Sequence, residues 1–385
     1  MRIYSIDVLK NIVVLFLFVI VIDPSGTLFH LKETLFVLLM LCYIFCSING
    51  TNSYKVNISI ICILYFVLLL PLYGIIISLL RQSFLVSSFA WGQLKSFVFV
   101  LLLPVFCLLD CDWLIKMISR LGLFVVFIIF LCYIVGFVNQ SFFEQLYDYF
   151  VVQKELALIS VREIMGIPIL AIFYKTSPII FFSLIYFLYD THKWSRILAL
   201  LCFCALFFTG SRMPMLGGIF IFLYFLCDKI TNRNLKFLFV LLCLLIMMYL
   251  GILLGSEIGE ASNFVKYANL SSYLQALTDN TTLFLGKGLG SVFYALGREQ
   301  YVTHSELTYF DIIRTYGLLL GGVFLFLVFL PTFFLLKRNI KLSTKHFLIA
   351  YLCYVILAGT NPLLISSTGM SVCCLGWALI FAKNK

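Results

Sequence analysis

The chain reads as long apolar runs divided by short polar breaks. The runs are roughly 8–22, 34–48, 57–79, 96–109, 121–138, 177–189, 197–209, 213–227, 236–255, 317–336, 347–359 and 363–382. They are too long and too uniformly apolar for the alternating segments of about 10 residues that build an outer-membrane barrel. A bilayer core about 30 Å thick takes about 20 apolar residues at a rise of about 1.5 Å each. The pattern therefore predicts an all-α polytopic membrane protein of about 12 transmembrane helices, with residues 1–385 forming a single transmembrane domain. The runs 177–189 and 197–209 are short for a crossing, so they extend into their flanks, tilt little, or do not cross at all. No small-residue cleavage site follows Ile22, and "DPSGTLFHLKE" reads as a turn into the second run rather than the end of a signal peptide.

Two connections are long. One covers 139–176 and the other 256–316, between the ninth and tenth runs. Long segments that are neither low-complexity nor highly charged usually fold and carry function. In the second, "ASNFVKYANLSSYLQALT" spaces Phe264, Tyr267, Ala268, Leu270, Tyr273, Leu274 and Leu277 as an amphipathic helix at the membrane surface would. "GKGLG" (Gly286 to Gly290) breaks that helix. Thr303 and Glu306 match a capping box, which predicts a helix from His304. Asp311 would then share the histidine's face about 10 Å along the axis, too far for direct contact, while Asp311 and Arg314 could pair.

Composition agrees with the pattern: 63% of residues are hydrophobic, 11% are charged and the mean hydropathy is +1.10. Charge then orients the helices. If the N-terminus is cytoplasmic and every run crosses, the inner segments hold sixteen of the 27 Lys and Arg but only five of the 17 Asp and Glu. Lys55, Arg338, Lys383 and Lys385 are among those inner cations. The excess obeys the positive-inside rule and places both termini in the cytoplasm. The formal net charge of +10 is thereby a topology signal, with no nucleic-acid partner needed. The 13 cysteines avoid both long outer segments and read as small hydrophobes; their spacing makes no zinc site.

Cations on the outer face run against that rule, so each calls for a reason. Arg212 in "FFTGSRMPMLGG" sits in a hairpin between two runs. It either snorkels to the headgroups or grips a phosphate through its guanidinium fork. Arg162 in "SVREIMG" and Arg314 pose the same choice. His304 stands among Arg298, Glu306, Asp311, Arg314 and the glycines of "GKGLG", company that a surface histidine does not need. The amides of "GKGLG" together with Lys287 could form an anion nest, or the stretch could be a plain turn. Asp110 and Asp112 in "LDCDW" form a D-x-D pair of the kind that can hold a divalent metal; the alternative is a solvated loop end.

"TGSRMPMLGG" followed by "LFLGKGLGSV…YVTHSELTYFDIIRTYGLLLGG" resembles the O-antigen polymerase and ligase superfamily. In that family an S-R pair ends one span, a glycine-rich stretch precedes a histidine-headed helix, and a glycine-rich start opens the next span. The likeness covers about residues 205–330. Ser305 stands where relatives often carry Asn. The resemblance implies an inner-membrane, metal-independent, inverting glycosyltransferase of GT-C architecture that needs no cofactor. Its large periplasmic loop would lie between helices 9 and 10 and its active site would face the periplasm. The donor would be an oligosaccharide linked to undecaprenyl diphosphate, in contact with membrane lipid, and a chain-length regulator would be a partner. His304 would take the proton of an attacking sugar hydroxyl. Arg212 and Arg314 would stabilise the leaving diphosphate. Arg162, Lys287, Arg298, Glu306 and Asp311 would bind substrate, and Tyr294, Tyr301, Tyr309 and Tyr316 could stack on sugar rings. A Wzy-type polymerase leads this reading, because two long outer loops suit two lipid-linked substrates. A ligase onto lipid A-core is the alternative in the same class, and a flippase the alternative from another.

Overall fold

The structure is a computed structural model that describes residues 2–26, 30–48, 57–82, 86–164, 167–257, 260–337 and 340–381. The inner-segment cations Lys55, Arg338, Lys383 and Lys385 and the last residue of the final apolar run lie outside the described residues. Among these residues seven helices are long and apolar enough to cross a membrane. They are Leu31–Ile48, Ile58–Leu80, Ser87–Leu108, Cys111–Val138, Arg233–Leu253, Thr308–Leu336 and Leu342–Gly359. The first apolar run lies on the helix Arg2–Ile22 and the eighth on Arg212–Lys229. Three shorter apolar helices complete the set: Ser177–Tyr189, Ser195–Phe208 and Ser367–Phe381. The 14 residues of Ser195–Phe208 reach about 21 Å, short of a bilayer core of about 30 Å. The chain is thus an all-helical polytopic membrane protein with little strand.

It falls into two compact units, each discontinuous in sequence. The first comprises Met1–Thr51, Asp112–Glu260 and Lys341–Tyr354. In it the segment 139–176 folds as a short helix, Gln140–Tyr147, and a β-hairpin. The Asn139 side chain caps the helix by accepting from the Phe142 amide at 3.0 Å. The hairpin pairs Ala157–Ile164 with Ile167–Tyr174 antiparallel, setting Arg162 opposite Ile169. Ala157 and Ile159 are buried while Leu158 and Val161 are exposed, and Ala171, Ile172 and Tyr174 are buried on the partner strand. Tyr174 Oη and Thr176 Oγ1 donate to the carbonyls of Ile22 and Val21, anchoring the hairpin to the end of the first helix. The sequence pattern marks this segment only as a long connection. Its β-branched residues form the hairpin because they can cover the ends of the neighbouring helices with one face.

The second unit comprises Asn52–Cys111, Ala261–Ile340 and Val355–Lys385. The helix Ser87–Val98 continues through the turn Phe99–Leu101 into Leu102–Leu108. Against it lies Ser367–Phe381, almost wholly buried, whose Cys374 thiol faces the Phe99 carbonyl at 3.6 Å. Trp377 Nε1 donates to the Leu327 carbonyl at 2.7 Å.

One expectation is corrected here. The helix foreseen from His304 begins at Thr308, with Leu307 as an N-cap that makes no side-chain bond. The capping box does not form because Thr303 and Glu306 have other partners: the Thr303 hydroxyl is engaged by His304, and Glu306 by Lys266 and Arg298. The helix Glu260–Leu277 forms as foreseen, but its buried face is partly polar. Asn269 and Ser272 are buried and accept from the amides of Gly297 and Leu296 at 3.2 and 2.9 Å. Phe264, Tyr267 and Leu274 are exposed instead, a stripe at helical spacing that suits a lipid surface.

Candidate functional site

Arg314 organises the candidate site in the second unit. It lies in the helix Thr308–Phe333, which breaks at Gly317 with φ +77°. An L side chain there would be strained, and a Cβ would stand 2.1 Å from the Phe284 carbonyl oxygen. The break removes helical partners from the carbonyls before it. The "GKGLG" stretch supplies replacements: Lys287 N donates to the Arg314 carbonyl at 2.7 Å and Gly288 N to the Thr315 carbonyl at 3.1 Å. Leu289 N goes to the Gly74 carbonyl at 2.8 Å. These amides are spent on backbone, so the anion-nest reading of "GKGLG" gives way to a structural one: the stretch closes a broken helix.

The Arg314 side chain is 1% exposed, and all five of its N–H groups donate inside the protein. Nε and Nη2 donate to Asp311 Oδ1 at 3.1 and 2.9 Å. Nη2 also donates to the Thr303 carbonyl at 2.8 Å, and Nη1 to the Ser291 carbonyl and hydroxyl at 3.2 and 2.9 Å. The guanidinium carbon lies 4.6 Å from the centroid of the Phe293 ring. In this arrangement no N–H remains for a phosphate oxygen. The guanidinium ties the Thr303 turn, the Ser291 turn and the helix together.

Asp311 extends the network. Its Oδ1 also accepts from Tyr273 Oη at 3.3 Å, and that hydroxyl accepts from the Ser305 amide at 3.1 Å. Tyr273 is fully buried with Phe293 and Ala295 in a small core. Residues 303 and 305 are therefore both fastened, and His304 is held between them. Its ring stacks on Phe89, centroids 4.8 Å apart at an interplanar angle of 14°. Nδ1 meets Thr303 Oγ1 at 3.1 Å, while Nε2 has no hydrogen-bond partner among the described residues. Burial, with repulsion from Arg298 and Arg314, outweighs the attraction of Asp311 and holds His304 below the ordinary histidine pKa. As the sequence implied, Asp311 makes no direct bond to the imidazole.

The other candidates divide. Arg298 and Lys266 each approach Glu306 at 3.8 Å, so Glu306 is occupied by ion pairs rather than by His304. Lys287 is depressed below the usual lysine range by burial first, then by repulsion from Arg314 and Arg81. Tyr294 and Tyr301 form an exposed edge-to-face pair across the short hairpin, 5.3 Å between centroids. Tyr309 donates to the Val355 carbonyl and Tyr316 is buried, so both serve packing.

Arg162 and Arg212 belong to the first unit. Arg162 Nη1 donates to the Gly210 carbonyl at 2.9 Å. Gly210 has φ +60°, and a Cβ there would lie 2.2 Å from that of Ala171. The hairpin thus packs directly on the turn that leads into the helix Arg212–Lys229. Arg212, its first residue, is depressed by burial and then by the Arg162 charge, yet remains an arginine cation. Two guanidinium charges thus lie near the start of one helix.

The D-x-D motif has a local explanation, since Asp112 pairs with Lys341 and accepts from Ser343 Oγ at 2.8 Å. Among the described residues no cluster of three His, Cys, Asp or Glu could hold a metal ion. Sequence reasoning missed Phe89, Tyr273 and Arg81. Arg81 binds Asp279, Thr281, Thr282 and the Gly286 carbonyl, fastening the helix Asn280–Leu285. The argument that singled out other outer-face cations applied equally to Arg81. For Phe89 and Tyr273 the sequence carries no signal beyond apolar spacing. No family model, curated protein or solved structure matches this chain.

Proposed function

We propose that the protein is a membrane glycosyltransferase that joins undecaprenyl-diphosphate-linked oligosaccharide units into a surface polysaccharide. The observation that carries this reading is His304: a stacked imidazole with a depressed pKa, fixed on both sides by backbone bonds, and with Nε2 lacking a partner among the described residues. Such a ring is neutral near pH 7 and suits a general base for a sugar hydroxyl. The required tautomer has Nδ1–H donating to Thr303 Oγ1 and the Nε2 lone pair free. Arg162 and Arg212 enter the proposal from the sequence alone, as cations that would supply charge for the diphosphate leaving group. Arg314 has a changed role: with every N–H engaged, it is a positioning residue that sets the 303–305 turn through Asp311 and Tyr273.

The sequence supports the remaining terms of the proposal. The charge distribution supports a bacterial inner membrane with about twelve crossings, cytoplasmic termini and a periplasmic site. The motif likeness supports a GT-C type polymerase. The test is glycan length in cells carrying His304→Ala or Arg212→Ala at normal protein level. Loss of polymerisation leaves single repeat units on the core and supports the reading. Polymer retained on the lipid carrier identifies a ligase, and single units held on the cytoplasmic side identify a flippase. Full-length glycan from His304→Ala refutes the catalytic assignment.

A further inference from the structure

The first unit has a second concentration of cations, far in sequence from every residue of the proposed reaction. The helices Cys111–Val138, Ile180–Tyr189 and Ser195–Phe208 line an open cavity of about 840 Å³. That lies within the range of about 300–1,000 Å³ typical of small-molecule sites. Its walls change character along one helix. Lys116 and Arg120 line one end, and Leu123, Phe124 and Phe127 continue the same stripe. From Arg120 to Phe127 the helix rises about 10 Å. The polarity therefore runs from charge to hydrocarbon over the depth at which a phospholipid passes from headgroup to acyl chain.

Lys116 and Arg120 make no hydrogen bond or ion pair with a described residue. One carboxylate, Asp190, also lines the wall and is held ionised by Ser195 Oγ at 2.6 Å and the amides of Thr191 and His192, so the two cations leave the wall with a positive excess. A neighbouring cavity of about 830 Å³ across the same turn repeats the design, with Lys193, Arg196 and Lys229 at one end and Leu200, Phe203 and Phe222 at the other. Positive-inside topology accounts for cations in a loop. Here the two cations stand exposed at the head of an apolar stripe on the same helix face, open to an anion that carries hydrocarbon with it.

We infer that the cavity lined by Lys116, Arg120, Phe124 and Phe127 is a binding site for an anionic phospholipid, with the headgroup phosphate on the two cations and acyl chain along the two aromatic rings. The chemistry is that of basic pockets between membrane helices. The site is independent of the glycosyl-transfer reading and stands if that reading fails.

The test is native mass spectrometry of the full-length protein released from detergent micelles. Phosphatidylglycerol, phosphatidylethanolamine and inorganic phosphate are supplied in separate arms. Phosphatidylglycerol is expected to be retained in preference to phosphatidylethanolamine. Lys116→Gln with Arg120→Gln is expected to weaken that retention about thirty-fold, the effect of two cations facing one lipid phosphate. Lys95→Gln with Lys154→Gln changes net charge equally and is expected to leave retention unaltered. Equal retention of the two lipids, or equal loss in both double variants, overturns the inference. So does displacement of the lipid by millimolar phosphate, which would mark a site for the free anion. Should the cavity variant fail to fold, a photocrosslinking phenylalanine analogue at Phe127 decides the matter. Phosphatidylglycerol must be enriched there over the exposed control position Phe45; no enrichment refutes the site.

Discussion

Replacing Arg314 by lysine keeps the positive charge and separates the two roles an arginine could have here. The native side chain donates five N–H groups: two to Asp311, two to Ser291 and one to the Thr303 carbonyl. An ammonium has three, so at least two bonds are lost in a pocket where Arg314 is 1% exposed. At about 1.5 kcal/mol for each bond to a charged donor, the 303–305 turn loses about 3 kcal/mol of local stability. That corresponds to roughly 100-fold faster opening by population. Hydrogen exchange of the full-length protein in detergent measures it directly. The amides of Lys287, Gly288 and Ser305 are hydrogen-bonded within the same network, and are expected to lose about two orders of magnitude of protection in Arg314→Lys. Turnover should fall with them as His304 loses its setting. If exchange at these amides is unchanged while the KM for the lipid-linked donor rises, Arg314 contacts phosphate after all and the positioning argument is wrong.

Further outcomes follow from the same geometry. Gly317→Ala forces a side chain into φ +77° and within 2.1 Å of the Phe284 carbonyl oxygen; strain of about 1–3 kcal/mol plus the clash should lower the detergent-solubilised yield and melting temperature, whereas Gly322→Ala, with open space at its Cβ, should alter neither. The base role needs neutral His304, whose pKa is depressed by burial; activity should therefore persist below pH 6.5 and fall only as pH drops through the lowered pKa, and a midpoint above that of a free histidine would contradict the assignment. Asp112→Asn removes an ion pair in which both partners are substantially exposed, worth at most about 1 kcal/mol, so glycan length should be unchanged; loss of polymer would restore a metal-binding role for the D-x-D pair. Asp279→Ala removes both the N-cap of Asn280–Leu285 and the Arg81 carboxylate partner. It should accelerate exchange at the Thr281 and Thr282 amides several-fold, as the loss of a cap does.

Much of the architecture was legible because hydrocarbon demands it. Each long apolar run must satisfy its own backbone in a helix, so the runs and the helices coincide, from Arg2–Ile22 to Ser367–Phe381. The hairpin Ala157–Tyr174 was not legible, because its strands bury against helix ends that are remote in sequence. The capping box at Thr303 was a local signal overruled by long-range partners: the Thr303 carbonyl serves Arg314 and Glu306 serves Lys266 and Arg298.

The sequence by itself determined the membrane class of the chain, the helical runs, the orientation expected from charge, and the neighbourhood of His304, Asp311 and Arg314. These rest on composition and on spacing within one segment. Only the tertiary structure decided what each polar group does. It turned "GKGLG" into the closure of a broken helix, and Arg314 into a saturated hub. It brought Phe89 and Tyr273 to the histidine turn, and set Lys116 and Arg120 at the head of an apolar stripe. A buried donor or charge takes its role from whichever partner reaches it, and that partner is chosen by packing between segments far apart along the chain.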